Sequence, residues 1–225
     1  MTFRNRRSSD CARVASRLAI GALLAAVMAA CASHPRPTVP IVPVSAAPMI
    51  AHGVVSAAQV RSEKMKELIR AGVVPLKKKA KAPYLDALAG RVRAAIAGNA
   101  VEITQVEGAL VLVLPARTLF EPDLTTLAPA GEKLLGALAN VLRGEQALLM
   151  EAACHTDRLG SAADNTAFSQ QRADLVRDAL VARGLDAKHI IAIGSGDQYP
   201  VADNTTADGR RRNRRVELSL LPILR

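Results

Sequence analysis

From residue 84 onward the apolar positions switch repeatedly between two periods, and each switch marks an element. Leu85, Leu88, Val92 and Ile96 recur at helical spacing and Gly98-Asn99 ends the pattern, which predicts a helix over 84–97. Val101, Ile103 and Val106 alternate loosely with polar residues, and Glu107-Gly108 turns the chain into 109–114, a nearly unbroken apolar run expected of a central strand. A second helix is predicted over 129–142, with Pro129 in its first turn and Leu134, Leu135, Leu138 and Leu142 on one face. A strand over 147–154, a long helix over 165–183 ended by Gly184, and strands over 190–193 and 215–221 complete the series. Strands separated by helices predict an α/β (α+β) sandwich, a mixed β-sheet with helices packed on one face.

Upstream of this region the pattern thins. Residues 56–70 read as a modest helix, with Ser56 as its cap, Glu63 and Glu67 facing Lys66 and Arg70, and Gly72 as its stop. Its apolar stripe, Ala58, Met65, Leu68 and Ile69, is thin, so this helix is expected either to lean on the main domain or to stay loosely ordered. Pro35, Pro37, Pro40, Pro43 and Pro48 give residues 32–50 the composition of an extended spacer. If most of 32–83 were extended at about 3.1 Å per residue, it would reach on the order of 150 Å.

The first thirty residues place Arg4, Arg6, Arg7, Arg13 and Arg17 ahead of an apolar stretch, 18–30, that is too short to span a bilayer. This is the pattern of a secretion signal. Met28-Ala29-Ala30-Cys31 resembles the lipobox of bacterial lipoproteins, in which the cysteine is lipidated and becomes the new N-terminus; an ordinary signal with an incidental cysteine is the alternative. Ala32, where Asp is absent, resembles lipoproteins exported to the outer membrane. The expected organisation is a signal peptide over 1–30, a lipidated Cys31 with a Pro/Ala-rich tether over 31–55, a short helix and basic linker over 56–83, and one domain over 84–225.

Composition refines this picture in three ways. The chain has 225 residues and a formal charge of +10, and loss of residues 1–30, with five Arg and one Asp, lowers that to +6. The remaining excess is concentrated in Lys77-Lys78-Lys79-Ala80-Lys81 and Arg210-Arg211-Arg212-Asn213-Arg214-Arg215, which read as solvated runs or as surfaces attracted to anionic headgroups or wall polymers. With Cys11 in the signal and Cys31 lipidated, Cys154 has no partner for a disulfide, so the fold depends on a core of Leu, Val, Ile and Ala. Aromatic residues are only 2% of the chain, too few for stacking on nucleic-acid bases, and nucleic acid is not an expected partner.

The candidate chemistry lies in the last third: His155-Thr156-Asp157, Asn165, Ser169, Arg172-Ala173, Gly209-Arg210 and Asn213-Arg214-Arg215-Val216. Asp157 falls just past a predicted strand and Arg172 one or two turns into the next helix, so a carboxylate and a guanidinium can meet in one shallow basin. A structural salt bridge between the two is the plain alternative. The ordered set resembles the OmpA-like peptidoglycan-binding domain, from about Tyr84 to Leu221. That resemblance implies that Asp157 accepts the ammonium of meso-diaminopimelate in the peptidoglycan stem peptide, and that Arg172 makes paired hydrogen bonds to its carboxylate. It assigns supporting roles to Thr156, Asn165, Arg214 and Phe120; from the residues alone Asn165 reads equally as a helix cap and Phe120 as core. Cys154 stands where the family usually has Gly.

The resemblance implies a non-catalytic link between outer membrane and cell wall, the protein being lipid-anchored with its domain in the periplasm. The alternative is an assembly module that fixes an envelope or secretion complex to the wall, with the 65–70 face of the short helix contacting the partner protein. Cys154 and His155 are adjacent on a strand and point to opposite faces, which disfavours a shared proton and catalysis. His34, His52, His155 and His189 lie in separate segments without ligand spacing, so neither a metal nor a cofactor is expected.

Overall fold

The computed structural model describes residues 49–50 and 55–225. The expected signal peptide, Cys31 and most of the expected tether lie outside the described residues. Three residues assigned to the tether, Met49, Ile50 and Val55, are strand: β1 (Met49–Ile50) pairs antiparallel with β2 (Val55–Ser56). Ile50 and Val55, both β-branched and favoured in strands, are Cα partners there.

The main sheet has five strands: β3 (Glu102–Val106), β4 (Ala109–Pro115), β5 (Leu148–His155), β6 (Ile190–Gly196) and β7 (Arg215–Pro222). Their spatial order is β3-β4-β7-β5-β6, with β5 and β6 parallel and every other pair antiparallel. The sheet is therefore mixed, as the alternation of strand and helix patterns predicts. The C-terminal strand β7 enters between β4 and β5, which explains why both of its faces are largely apolar or buried.

The helices are α1 (Ala57–Arg70), α2 (Lys81–Ala95), α3 (Ala116–Leu119), α4 (Pro129–Leu142), α5 (Ala162–Ala182) and α6 (Ala207–Asn213). Leu85, Leu88 and Val92 of α2, Leu134, Leu135 and Leu138 of α4, and Val176 and Leu180 of α5 share one cluster with Leu110, Leu112, Met150, Leu218 and Leu220 of the sheet. Burial of each such side chain contributes about 1.5–3 kcal/mol, so this face is the main source of stability. α2 begins three residues before the predicted start, inside the expected basic linker, and Lys78–Ala80 form a 3-10 turn ahead of it.

α1 packs against the opposite face of the sheet. Leu68 is buried against Leu149 and Ile223, with Met65, Val73, Ile191 and Leu221 around them. Leu149 and Leu221 are direct partners in the β5–β7 ladder, one residue out of phase with the positions that face α2, α4 and α5. Arg61 of α1 lies 3.6 Å from Glu151 on the same face. Of the two expectations for this helix, docking is the one realised. Its 65–70 face is consequently occupied by the chain's own sheet, with Ile69 left exposed. The segment after α1 is tied to the C-terminus, where Leu76 N donates to Ile223 O at 2.8 Å and Arg225 N to Leu76 O at 3.0 Å.

Candidate functional site

The site is built at one end of β5 and β7. β5 shifts register against β6 between Cys154 and His155, and the amide of Thr156 then donates to Gly196 O at 2.8 Å. This carries Asp157 just beyond the sheet edge. The loop to α5 turns at Gly160, whose φ of +91° belongs to the left-handed region that glycine adopts without strain. Ser161 caps α5 by accepting the Asp164 amide at 3.1 Å. The helix thus starts three residues before the predicted position and Asn165 is not its cap. Asn165 sits in the first turn, where Nδ2 donates to the Asp157 carbonyl at 3.3 Å and holds the loop against the helix.

α5 lies very close to β6. A Cβ at Gly194 would come within 2.4 Å of the Gln170 amide nitrogen, Gly194 N donates to Gln170 Oε1 at 2.7 Å, and Gly196 N donates to Ser169 Oγ at 2.9 Å. The close backbone approach needed at this strand end is therefore met at Gly194, the ladder partner of Cys154. Cys154 itself is fully enclosed in the helix-side core, and burial pushes its thiol up to about 12.

Asp157 is buried and both carboxylate oxygens are engaged. Oδ1 accepts the Leu159 amide at 3.0 Å, and Oδ2 pairs with Nη1 of Arg214. The carboxylate's ion-pair partner is thus Arg214, not Arg172, which corrects the simple salt bridge read from the sequence. Arg214 arrives because α6 ends beside the Asp157 loop. Gly209 lets α6 close onto the 203–206 turn before it, since a Cβ there would meet Asp203 O at 1.9 Å. Asn213 then staples the 201–204 loop, accepting the amides of Val201 and Ala202 at 2.8 and 2.9 Å and donating to Ala202 O and Asn204 Oδ1, both at 2.9 Å.

Arg172 is 2% exposed and its guanidinium carbon lies 4.3 Å from the ring centroid of Phe168 and 5.8 Å from that of Phe120. Its Nε has no hydrogen-bond partner. Burial pulls its pKa below the ordinary value; the charges of Arg214 and Asp157 both reach it, the first lowering and the second raising it. Phe120 is core, at 2% exposure, and its ring is a neighbour of this guanidinium. Phe168 went unrecognised in the sequence as part of the site. The signal was its spacing, four residues before Arg172 on a helix, which stacks the two side chains. α6 was also missed, because the sequence from Ala207 to Asn213 has almost no apolar residue to carry a period.

Cys154 and His155 point to opposite faces, as the strand alternation predicts. His155 lies near Glu217, with 3.8 Å between Nε2 and Oε2, and its ring meets Tyr199 edge-on. Burial, with help from Arg215 and Arg172, holds its pKa well below the usual histidine value. Arg215 stabilises this face through Glu217 at 2.7 Å and the Tyr199 carbonyl at 3.1 Å. Among the described residues no cluster of His, Cys, Asp or Glu has the arrangement of a metal site, and no helix is long and apolar enough to cross a membrane.

Comparison with known proteins agrees with this architecture. The chain is 36% identical over 140 residues to "Probable lipoprotein YiaD" of Escherichia coli, covering 62% of this chain and 64% of that one. It is 36% identical over 113 residues to "Peptidoglycan-binding protein ArfA" of Mycobacterium tuberculosis, covering 50% of this chain and 35% of the relative. The chain thus spans less than two thirds of either relative's length. Among solved structures, the cell wall anchor of the T6SS from Pseudomonas aeruginosa superposes with a TM-score of 0.50 at 29% identity, covering 60% of this chain and 94% of that one. The OmpA family profile matches residues 119–214, the span from the end of α3 to Arg214, and these residues are an OmpA-family domain.

Proposed function

We propose that this protein binds the peptidoglycan stem peptide without catalysis and holds the outer membrane to the cell wall, with Cys31 as its lipid anchor and residues 84–225 as its periplasmic wall-binding domain. The observation that carries the reading is the gathering of one carboxylate, Asp157, and two guanidinium groups, Arg172 and Arg214, at one end of the sheet. Such a set matches a zwitterion. The ammonium of meso-diaminopimelate would go to Asp157 and its carboxylate to Arg172, with Asn165 and Thr156 holding the loop and Phe120 backing the arginine. The similarity to proteins named for peptidoglycan binding and wall anchoring supports this choice of ligand. The enclosed thiol of Cys154 and the opposite orientation of His155 support a binding role over a catalytic one.

A second reading, an assembly module that fixes a larger envelope complex to the wall, is favoured by the exposure of Ile69 and of Val74, which is 73% exposed beside the docked α1. That partner would meet the outer edge of α1, since the inner edge is occupied.

Sedimentation with purified diaminopimelate-type sacculi tests the function. The wild-type protein is expected to co-sediment, and Asp157→Ala and Arg172→Met to lose about 2 to 5 kcal/mol of binding, the usual loss when one member of a hydrogen-bonded charge pair is removed. Lys78→Ala, an exposed charge, is expected to change binding by no more than about a few tenths of a kcal/mol. Unchanged co-sedimentation of both folded pocket variants would remove the site, and a wild type that stays in solution would remove the function.

A further inference from the structure

We infer that Arg214 is a latch on the Asp157–Arg172 site: it pairs with Asp157, and only a ligand presenting an ammonium beside a free carboxylate can exchange with it. The inference rests on the pocket assignment proposed above and adds to it the residue that decides which stem peptides are accepted.

Three observations lead to it. Asp157 is buried, with Oδ1 accepting the Leu159 amide and Oδ2 paired with Arg214, so an incoming ammonium competes with the Arg214 guanidinium for this carboxylate. Asp157 and Arg172 are 6% and 2% exposed, whereas the side chain of Arg214 is 36% exposed, so Arg214 is the member of the trio that a ligand meets first. Finally, only its side chain is free to move. The Arg214 amide donates to Arg210 O at 3.1 Å and its carbonyl accepts the Ala116 amide at 3.0 Å, which pins the backbone between α6 and β7.

Charge decides what opens the latch. The site has one carboxylate paired to one guanidinium, and a second guanidinium, Arg172, held against an aromatic face with its Nε unpartnered. A zwitterionic side chain gives its ammonium to Asp157 and its carboxylate to Arg172 and the released Arg214, so every charge keeps a partner. A lysine-type side chain also competes for Asp157 but brings no anion for the two guanidinium groups, of which Arg172 is buried. Diaminopimelate amidated at its side-chain carboxylate does the same. An uncompensated charge of this kind is what makes breaking a buried pair costly, and here it acts against the wrong ligand.

The test uses the full chain and three soluble muropeptides, with meso-diaminopimelate, side-chain-amidated diaminopimelate and L-lysine at position three, titrated calorimetrically into wild type and Arg214→Met. Wild type is expected to prefer the free diaminopimelate form over the other two by at least tenfold. Arg214→Met is expected to bind that form more weakly and the lysine form more tightly, so that the preference falls by at least tenfold. A preference unchanged in Arg214→Met overturns the latch while leaving the pocket in place. If wild type binds none of the three, the pocket assignment fails, and the latch is judged without ligand by the NMR of the arginine side chains. Rotation about the Arg214 Nε–Cζ bond should be slow in wild type and fast in Asp157→Asn; fast rotation in wild type overturns it.

Discussion

The guanidinium carbon of Arg172 sits 4.3 Å from the ring centroid of Phe168, one helical turn earlier on α5, so the charge is stacked as well as buried. A planar group is required for that arrangement. Arg172→Lys keeps the charge but loses both the stack and the two-pronged donor, and is expected to weaken sacculus binding nearly as much as Arg172→Met. Pull-down against wild type at equal folded concentration checks this, and retained wild-type binding by the lysine variant would show that charge alone suffices.

His155 makes stability depend on pH. Its folded-state pKa lies well below 6.5, first because of burial and then because of Arg215 and Arg172, so below pH 6.5 the unfolded chain takes up a proton that the folded chain refuses. The stabilisation is complete above 6.5 and is lost as pH falls, at about 1.4 kcal/mol per pH unit until the folded imidazole also protonates. Denaturant unfolding of wild type and His155→Gln at pH 7.5, 6 and 5 should show the variant losing less stability with acid, through the difference between the two curves.

Gly194→Ala is expected to destabilise the domain by about 1–3 kcal/mol, because its Cβ would press on backbone of α5 that cannot rotate away. A lowered unfolding midpoint is the readout. A midpoint equal to that of wild type would mean that α5 can shift outward freely, contrary to the hydrogen bonds that Gly194 and Gly196 make to Gln170 and Ser169.

Leu68→Ala should undock α1 while leaving the five-stranded sheet folded. The lost contacts with Leu149 and Ile223 are worth about 2–5 kcal/mol for a buried leucine, more than a 14-residue helix can supply from its own propensity. Hydrogen exchange should accelerate across 57–70 and stay slow in β5 and β7. Equal acceleration in the sheet would indicate that α1 is part of the cooperative core.

Cys31→Ser should release the exported protein from membranes, since a multiply acylated cysteine anchors stably where bare protein does not. Fractionation of cells producing the variant is the check, and a variant that still follows the outer membrane would end the lipid-anchor reading.

Periodicity along the chain was enough to locate the five main strands and α1, α2, α4 and α5 to within a few residues, because each buries one face and the burial repeats at 2 or 3.6 residues. It placed Asp157 just past a strand and Arg172 within the following helix, but it was the resemblance to OmpA-like domains, not the periodicity, that singled out these two residues. α3 and α6 were illegible for the same reason: short and locally polar or mixed, they are held by contacts with distant chain, as when the Ala116 amide of α3 donates to Arg214 O and Arg214, just after α6, pairs with Asp157.

What the tertiary structure alone decided is who meets whom. The pairing of Arg214 with Asp157 spans 57 residues and depends on β7 lying next to β5, an order that no local pattern contains. The docking of α1 depends on which phase of β5 and β7 faces away from the other helices, and a thin apolar stripe can name that face only once the sheet exists. Sequence by itself determined the elements and the residue types that carry charge. The long-range order of strands determined which charges are paired, which are buried and which one stays exposed, because ion pairs and desolvation depend on distance in space and not along the chain.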